Sequence, residues 1–409
     1  MSSGKAVPPV EGEVVETAIH GIAGGGEAVG RAPDGRALFV AGALPGERVR
    51  VAITEVRRGH ARGDLAEVLD PASERRAPPC PHVADGCGGC DWQHIDDDAQ
   101  RALRRTIVAD ALARIGRLDD PRVEAGPPLA VRGSRTTVRA LVDGGHAGFR
   151  RRRSHDPVLV DSCLVTHPAA EELLVEGRFG SAEEVVARVG ARTGERMVVA
   201  WPTAEGVEVP DDVRVVGADE LDAGVEAWIH EELAGRTWRV SARSFLQASP
   251  EAADALVERV ADAVADLAPG PARLVDLCAG IGLFAGTVGR AMEEVVAVES
   301  SSSAVADARH NLADSGTQVV RATMARWRPD PTDVVVADPP RTGLRRDGVA
   351  SLVASGASAV VLVSCDAGAL GRDARLLAEA GFTFDRAEVL DPFPQTSHVE
   401  VVSRFHRSP

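Results

Sequence analysis

The chain has 409 residues, too long for one typical domain, so two or three are expected, and its 44% hydrophobic content is ample for their cores. No apolar run reaches the ~18 residues of a membrane helix, and Met1-Ser2-Ser3-Gly4-Lys5 leads on without an apolar secretory core, so a cytoplasmic protein is expected. The net charge of -15 speaks against an indiscriminate polyanion binder but not against a local nucleic-acid face, because charge location matters more than its sum.

Residues 9–70 read as short β segments: Glu13 to Glu16, Ala37 to Val40, Glu47 to Thr54 and Leu65 to Leu69. Gly24-Gly25-Gly26, Asp34-Gly35 and Leu44-Pro45-Gly46 punctuate them as turns, which fits a small barrel of the oligonucleotide-binding type. Arg48, Arg50, Arg57, Arg58, His60 and Arg62 form one basic cluster within it. Lys5 is the one lysine among 46 basic residues and there is no tyrosine, which points to a coding bias, so the number of arginines carries little functional meaning.

Ala77-Pro78-Pro79 marks a boundary, and a cysteine group follows. Cys80-x6-Cys87-Gly88-Gly89-Cys90 has the form of a metal-ligand loop, whose glycines let the backbone fold around an ion or cluster, and Cys163 can supply a fourth thiolate. In a reducing compartment disulfides are a poor explanation. Four thiolates suit tetrahedral zinc or an iron–sulfur cluster, and spacing does not decide between them. A long amphipathic helix is expected over about 96–117, with Leu103, Ile107, Leu112 and Ile115 on one side. Residues 120–250 read as a mixed sheet region. Arg132, Arg135, Arg139 and Arg150 to Arg153 make a second basic cluster there, opposed by Asp143 alone.

From about 272 the pattern becomes regular β–α alternation, which implies a parallel sheet covered by helices, with ligands at the strand ends. Leu274 to Leu277 is a strand, followed by the Gly-rich turn Cys278-Ala279-Gly280-Ile281-Gly282 and a helix through Met292. The next strand ends at Glu299, an acid placed to grip two ribose hydroxyls. Position 285 is Ala, which does not exclude a dinucleotide, so Asp338-Pro339-Pro340 decides more. It forms a rigid turn at a strand end, a signature of S-adenosylmethionine methyltransferases acting on bases. Arg341 stands where amino-group methylators usually carry an aromatic, so carbon methylation is preferred.

Ser364-Cys365-Asp366 ends a further apolar strand, and Pro392-Phe393-Pro394-Gln395-Thr396-Ser397-His398-Val399-Glu400 follows. A thiolate adding to carbon 6 of a pyrimidine makes carbon 5 nucleophilic, and a base must later remove the carbon 5 proton. Cys365 and Glu400 are the residue types those two steps need. A buried structural cysteine and a solvated glutamate are the plainer readings of each taken alone.

Taken together, these motifs resemble the RNA uridine-C5 methyltransferase family, in the branch with a TRAM domain and a [4Fe-4S] cluster acting on 23S rRNA. The resemblance rests on Gly35-Arg36 through Pro45-Gly46-Glu47, the cysteine loop with Gln93-His94 and Cys163, and Phe245-Leu246-Gln247. It extends over the Asp276 loop, Glu299, Asp338-Pro339-Pro340-Arg341-x-Gly343, Ser364-Cys365-Asp366 and His398-Val399-Glu400. It implies three parts: a TRAM barrel of the OB type over 9–70, a mixed α+β central domain over 71–250 whose helix over about 96–117 can pack on the catalytic domain, and a Rossmann-like methyltransferase domain over 251–409. It further implies Cys365 as nucleophile and Glu400 as base. Gln247, Cys278, Gly280, Glu299 and Asp338 match positions at the S-adenosylmethionine site, and Cys80, Cys87, Cys90 and Cys163 match the cluster ligands. The partner it implies is structured RNA, 23S rRNA first and transfer RNA as the rival, held by the arginine clusters, with the target uridine extruded. Five departures stand out: Ser249 for Asn, Cys278 for an aromatic, Leu283 for a polar residue, Thr323 near where an Asn or Asp would face the adenine, and Ala367-Gly368-Ala369 for a segment usually holding Pro and Thr. A relative that binds RNA without turnover is the alternative from a different class.

Overall fold

The computed structural model describes residues 8–270 and 272–407. Lys5 and the rest of the N-terminal segment read above for targeting lie outside the described residues. No helix among the described residues is long and apolar enough to cross a membrane.

The first unit is a six-stranded sheet in the order Val14–Ala18, Arg48–Val56, His60–Asp70, Ala37–Ala41, Ala28–Arg31, Gly21–Ile22. Alternating residues such as Leu38, Val40, Val49, Val51 and Ile53 fill its interior, as a closed sheet with one buried face requires. Bulges between the two longest strands, at Arg48/Val49, Arg50/Val51 and Ile53/Glu55, bend them enough to curl the sheet. The short strands 21–22 and 28–31 were absent from the sequence expectation; both are too brief to show a period.

The basic cluster of this barrel is less bare than its sequence suggests. Arg48 pairs with Glu16 and Asp70, Arg50 with Glu67, Arg57 with Glu55, and Arg62 with Glu27. In the central region Arg139 and Arg150 share Glu184, and Arg153 reaches Glu27 and Asp64 of the barrel. Among the described residues of the two clusters, Arg58, Arg132, Arg135, Arg151 and Arg152 have no carboxylate partner. The central sheet runs Pro157–Leu159, His146–Arg150, Thr137–Asp143, Glu184–Val189, Arg196–Trp201, Val213–Gly217.

The third sheet has eight strands in the order Gln318–Arg321, Glu294–Glu299, Arg273–Leu277, Val334–Ala337, Ala359–Ser364, Glu400–His406, Thr383–Leu390, Val123–Ala125. The first five are parallel and nearly all apolar, as strands covered on both faces must be. Glu400–His406 runs antiparallel between Ala359–Ser364 and Thr383–Leu390. The strand order reverses beside Arg273–Leu277, which opens a crevice at the carboxyl ends of Arg273–Leu277 and Val334–Ala337. The helix expected through Met292 is a single turn, Leu283–Gly286, and a 3-10 turn, Val288–Ala291.

The long helix spans Asp97–Arg114, capped by the Asp96 carboxylate accepting from Asp98 N. It lies on the helix Ala367–Glu379, close enough that a Cβ on Gly371 would stand 2.5 Å from the Ala111 carbonyl oxygen. The helix thus packs on the catalytic unit, as allowed for above, while the strand Val123–Ala125 joins the eight-stranded sheet although it falls inside the span assigned to the central part. The inward face of the helix differs from the expected one. Gln100, Arg104, Ile107, Val108, Ala111 and Leu112 are buried, Leu103 is half-buried and Ile115 is 43% exposed. Hydrophobic periodicity missed two polar side chains that face inward because they are fully bonded.

Candidate active site

The carboxyl ends of the parallel strands enclose a cavity of about 490 Å³. Every residue expected at the cofactor and the chemistry lines it: Gln247, Cys278, Gly280, Glu299, Asp338, Cys365 and Glu400. They come from six separate stretches of chain, and each stands where a strand or helix begins or ends.

Asp276 is fully buried and accepts from Ala285 N at 2.9 Å, which ties the Gly-rich turn to the strand below it. Cys278 has φ +67°, so a non-glycine residue holds a left-handed conformation at the cavity wall. Glu299 is pinned at both oxygens, by Gly280 N at 2.9 Å and by Ser300 N and Ser301 N at 2.6 and 2.7 Å. Oε2, with one donor, keeps a lone pair for a ligand hydroxyl. Ser249, where the resemblance leads to Asn, caps the helix Pro250–Leu267 by accepting from Ala252 N at 3.1 Å. Gln247 is buried just before it, and Phe245 is 66% exposed over the same cavity, an aromatic face with nothing stacked on it.

The electrostatics follow from burial of like charges. Desolvation pushes the Asp338 carboxyl up to about 7, with Glu299 adding to the rise. Glu400, 5% exposed, is driven well above the usual carboxylate range by burial and by Asp338. Burial, helped by Glu400 and Asp338, lifts the Cys365 thiol to about 11, opposed by Arg341. Cys278 is pushed up to about 12 by burial and by Glu299. Three carboxylates around one cavity make a place that welcomes a cation. Cys365 directly precedes Asp366, the residue that caps the helix Ala367–Glu379 by accepting from Ala369 N at 2.8 Å, so the thiol also lies at a helix N-terminus.

Glu400 opens its strand, paired to Leu390, and the loop between them is bolted to the long helix. Arg104, 1% exposed, pairs with Asp391 at 3.0 Å, donates to the Thr396 carbonyl at 2.7 Å and lies over the Trp92 ring. Gln395, at φ +64°, accepts from Arg76 and Gln100 and donates to Asp97 at 2.8 Å. Asp91 accepts from Ser397 N at 3.0 Å, and Trp92 N donates to the Gln395 carbonyl at 3.0 Å. None of these supports was singled out from sequence, because their partners lie about three hundred positions away.

The four remaining cysteines, Cys80, Cys87, Cys90 and Cys163, line a second cavity of about 540 Å³ with Arg135 and the 150–153 segment. None is in a disulfide. Burial, then Cys163 and Cys80, raises the Cys87 thiol, and burial lifts Cys90 to about 11, so the thiols sit within electrostatic reach of one another. The Gln93 side chain bridges two of them, bonding Cys90 and accepting from Cys80 N at 3.0 Å. His82 holds the cysteine loop to the Cys163 segment through Asp161 at 2.9 Å. Tetrahedral zinc needs its sulfurs about 2.3 Å from one point. Among the described residues no three His, Cys, Asp or Glu gather tightly enough to hold a single ion.

Comparison with known proteins places the chain. It is 37% identical to an uncharacterized RNA methyltransferase of Streptomyces avermitilis, over 96% of this chain and 98% of the relative. A second, from Corynebacterium glutamicum, is 31% identical over 97% and 98%. The chain belongs to the RNA M5U methyltransferase family. Residues 10–66 match the TRAM domain, as expected for 9–70. The fold is similar to that of the Pyrococcus abyssi tRNA (uracil-54, C5)-methyltransferase in complex with S-adenosyl-L-homocysteine, with a TM-score of 0.72 at 22% identity, covering 96% of this chain and all of that one. S-adenosylmethionine is accordingly the methyl donor of this enzyme family, and the Rossmann-like catalytic fold stands as expected.

Proposed function

We propose that this protein methylates carbon 5 of a uridine in structured RNA, with Cys365 as nucleophile and Glu400 as base. The observation that carries this is the meeting of Cys365, Glu400 and Asp338 in one cavity with the Gly280 turn and Glu299. Glu299 would hold the ribose hydroxyls of S-adenosylmethionine, while Gln247, Cys278 and Asp338 line its remaining path. The donor supplies a methyl group that the activated carbon 5 takes up.

The chain's own residues do the rest. The Cys365 thiolate adds to carbon 6, and electron density moves through carbon 5 to the uracil oxygen at carbon 4. Arg341, at the rim and 3.4 Å from Asp366, favours the thiolate by its charge. After methylation Glu400 takes the carbon 5 proton, and the sulfur leaves from carbon 6, restoring the ring. Once ionised, a carboxyl whose proton affinity burial has raised takes that proton more readily than an ordinary glutamate, because base strength rises with it. The desolvated pocket also keeps water from quenching the adduct.

Cys80, Cys87, Cys90 and Cys163 would hold a [4Fe-4S] cluster whose role is structural. Gly88 N donates to the Arg150 carbonyl and Arg152 N to the Gly86 carbonyl, so the cysteine loop fixes the start of the basic 150–153 segment. Arg132, Arg135, Arg151 and Arg152 then face the RNA. Ribosomal 23S RNA is the proposed substrate, on the resemblance to the cluster-bearing branch. Transfer RNA is the second reading, favoured by the full-length likeness to the Pyrococcus enzyme. The test is to delete the gene, digest ribosomal and transfer RNA separately and quantify 5-methyluridine. Loss from one pool, restored by wild type and not by Cys365→Ala, assigns reaction and substrate together. No loss from either pool, with no S-adenosylmethionine binding at millimolar concentration, favours an RNA-binding relative without turnover.

A further inference from the structure

The barrel reaches the catalytic domain at one turn. Gly26 there has φ +80°, and a Cβ on it would lie 2.3 Å from Ser397 Cβ, so the fold itself demands glycine. The Trp92 indole donates to its carbonyl at 3.2 Å, locking the turn in place. Its neighbours Gly24 and Gly25 are different. Neither has a positive φ, and a Cβ on either would meet nothing within 4 Å. Among the described residues neither N–H has a protein acceptor.

These two glycines line a cavity of about 280 Å³ with Gly88 and Gly89 of the cysteine loop. Gly88 is required, since a Cβ would stand 2.8 Å from the Arg150 carbonyl oxygen. Gly89 has no such reason: its φ is ordinary, and its Cβ would make a normal 3.6 Å contact with Cys87 Sγ. Three of the four glycines therefore leave bare backbone where the fold would accept a side chain. Cys365 and Arg341 line this cavity as well as the cofactor cavity, so the two meet at the nucleophile.

We propose that Gly24, Gly25 and Gly89 form a backbone-walled cradle for one nucleotide of the RNA strand adjoining the target uridine. This makes the TRAM barrel part of the catalytic cavity, and it rests on the methyltransferase reading above. The target base must sit at the junction of the two cavities, with carbon 6 at Cys365 and carbon 5 toward the methyl donor. The smaller cavity, on the side away from Glu299, is left for the strand entering or leaving that position. Its volume is at the small end of the ~300–1,000 Å³ of ligand pockets, enough for one nucleotide unit. Free backbone N–H groups and the Arg341 guanidinium suit a phosphate, and the missing Cβ atoms let a sugar–phosphate lie against the chain.

The test uses the full chain with Gly25→Val and, as milder changes in the same turn, Gly24→Ala and Gly25→Ala. Melting temperature and S-adenosylmethionine affinity by calorimetry should match wild type. Filter binding and methylation of ribosomal and transfer RNA from a strain lacking the gene should fall about tenfold or more for Gly25→Val and less for the alanine variants. Folded variants that bind and methylate this RNA as wild type does overturn the cradle. A wild type that binds RNA and methylates none overturns the methyltransferase reading instead, and the cradle is then judged by binding alone.

Discussion

Gln395 and Gln100 hold each other from both ends: the backbone N–H of Gln395 donates to Gln100 Oε1 at 3.1 Å, and Gln100 Nε2 donates to Gln395 Oε1 at 3.0 Å. Both are buried, so each lost bond strands a desolvated polar group. Gln100→Ala is expected to destabilise the protein by about 1–3 kcal/mol, read as a shifted urea midpoint at constant slope. It should also slow turnover, because Gln395 keeps its left-handed conformation through this clamp and Glu400 begins five residues later. An unchanged midpoint would show that water replaces the clamp without cost.

The two proposed chemical roles separate cleanly by variant. Cys365→Ala should give no covalent protein–RNA species on a denaturing gel, whatever the donor concentration. Glu400→Gln should permit addition and methyl transfer but leave the carbon 5 proton in place, so the adduct accumulates and turnover falls by a factor on the order of 10²–10⁴. Normal turnover by Glu400→Gln removes that residue from the mechanism.

The residues around the chemistry were readable in the sequence because each stands at a strand end or turn, where local signals are strong. Asp338-Pro339-Pro340 and Ser364-Cys365-Asp366 both close runs of apolar residues, and the sheet brings their ends together without further information. The supports were not readable. Arg104 and Gln100 look like solvated helix residues, and they are buried only because the loop 391–397 supplies a bond for each polar atom. The barrel arginines misled for the same reason: their carboxylate partners, such as Glu67 for Arg50, sit on a neighbouring strand that sequence order does not reveal.

The cysteine cavity gives a spectroscopic prediction. Protein purified without oxygen should be brown and absorb in the visible, and Cys163→Ser should lose that absorbance along with several degrees of melting temperature. Cys278→Ser should keep the colour, since Cys278 lines the other cavity. Colourless anaerobic protein containing zinc would sink the cluster assignment. A cluster lost in Cys163→Ser without any thermal effect would sink its structural role.

Charge in the cofactor cavity makes donor and product respond differently to pH. Asp338 titrates near 7 because burial and Glu299 oppose its ionisation, and Glu400 lies above the ordinary range for similar reasons. Both are carboxyls favoured in the neutral form when folded. The Asp338 contribution to the stability of the ligand-free protein is full below about pH 4 and is lost as pH rises through about 7, and that of Glu400 is likewise lost as pH rises through its raised range. S-adenosylmethionine carries a sulfonium cation and S-adenosylhomocysteine does not. As Asp338 ionises, the cation gains a partner that the product lacks, so the donor-to-product affinity ratio should rise roughly tenfold between pH 6 and 8. By linkage, donor binding in that range releases protons, and calorimetry in buffers of different ionisation enthalpy would count them. Asp338→Asn should flatten both effects while leaving the Glu299 contact to the ribose in place. Parallel pH profiles for donor and product in the wild type would show that Asp338 does not face the sulfonium.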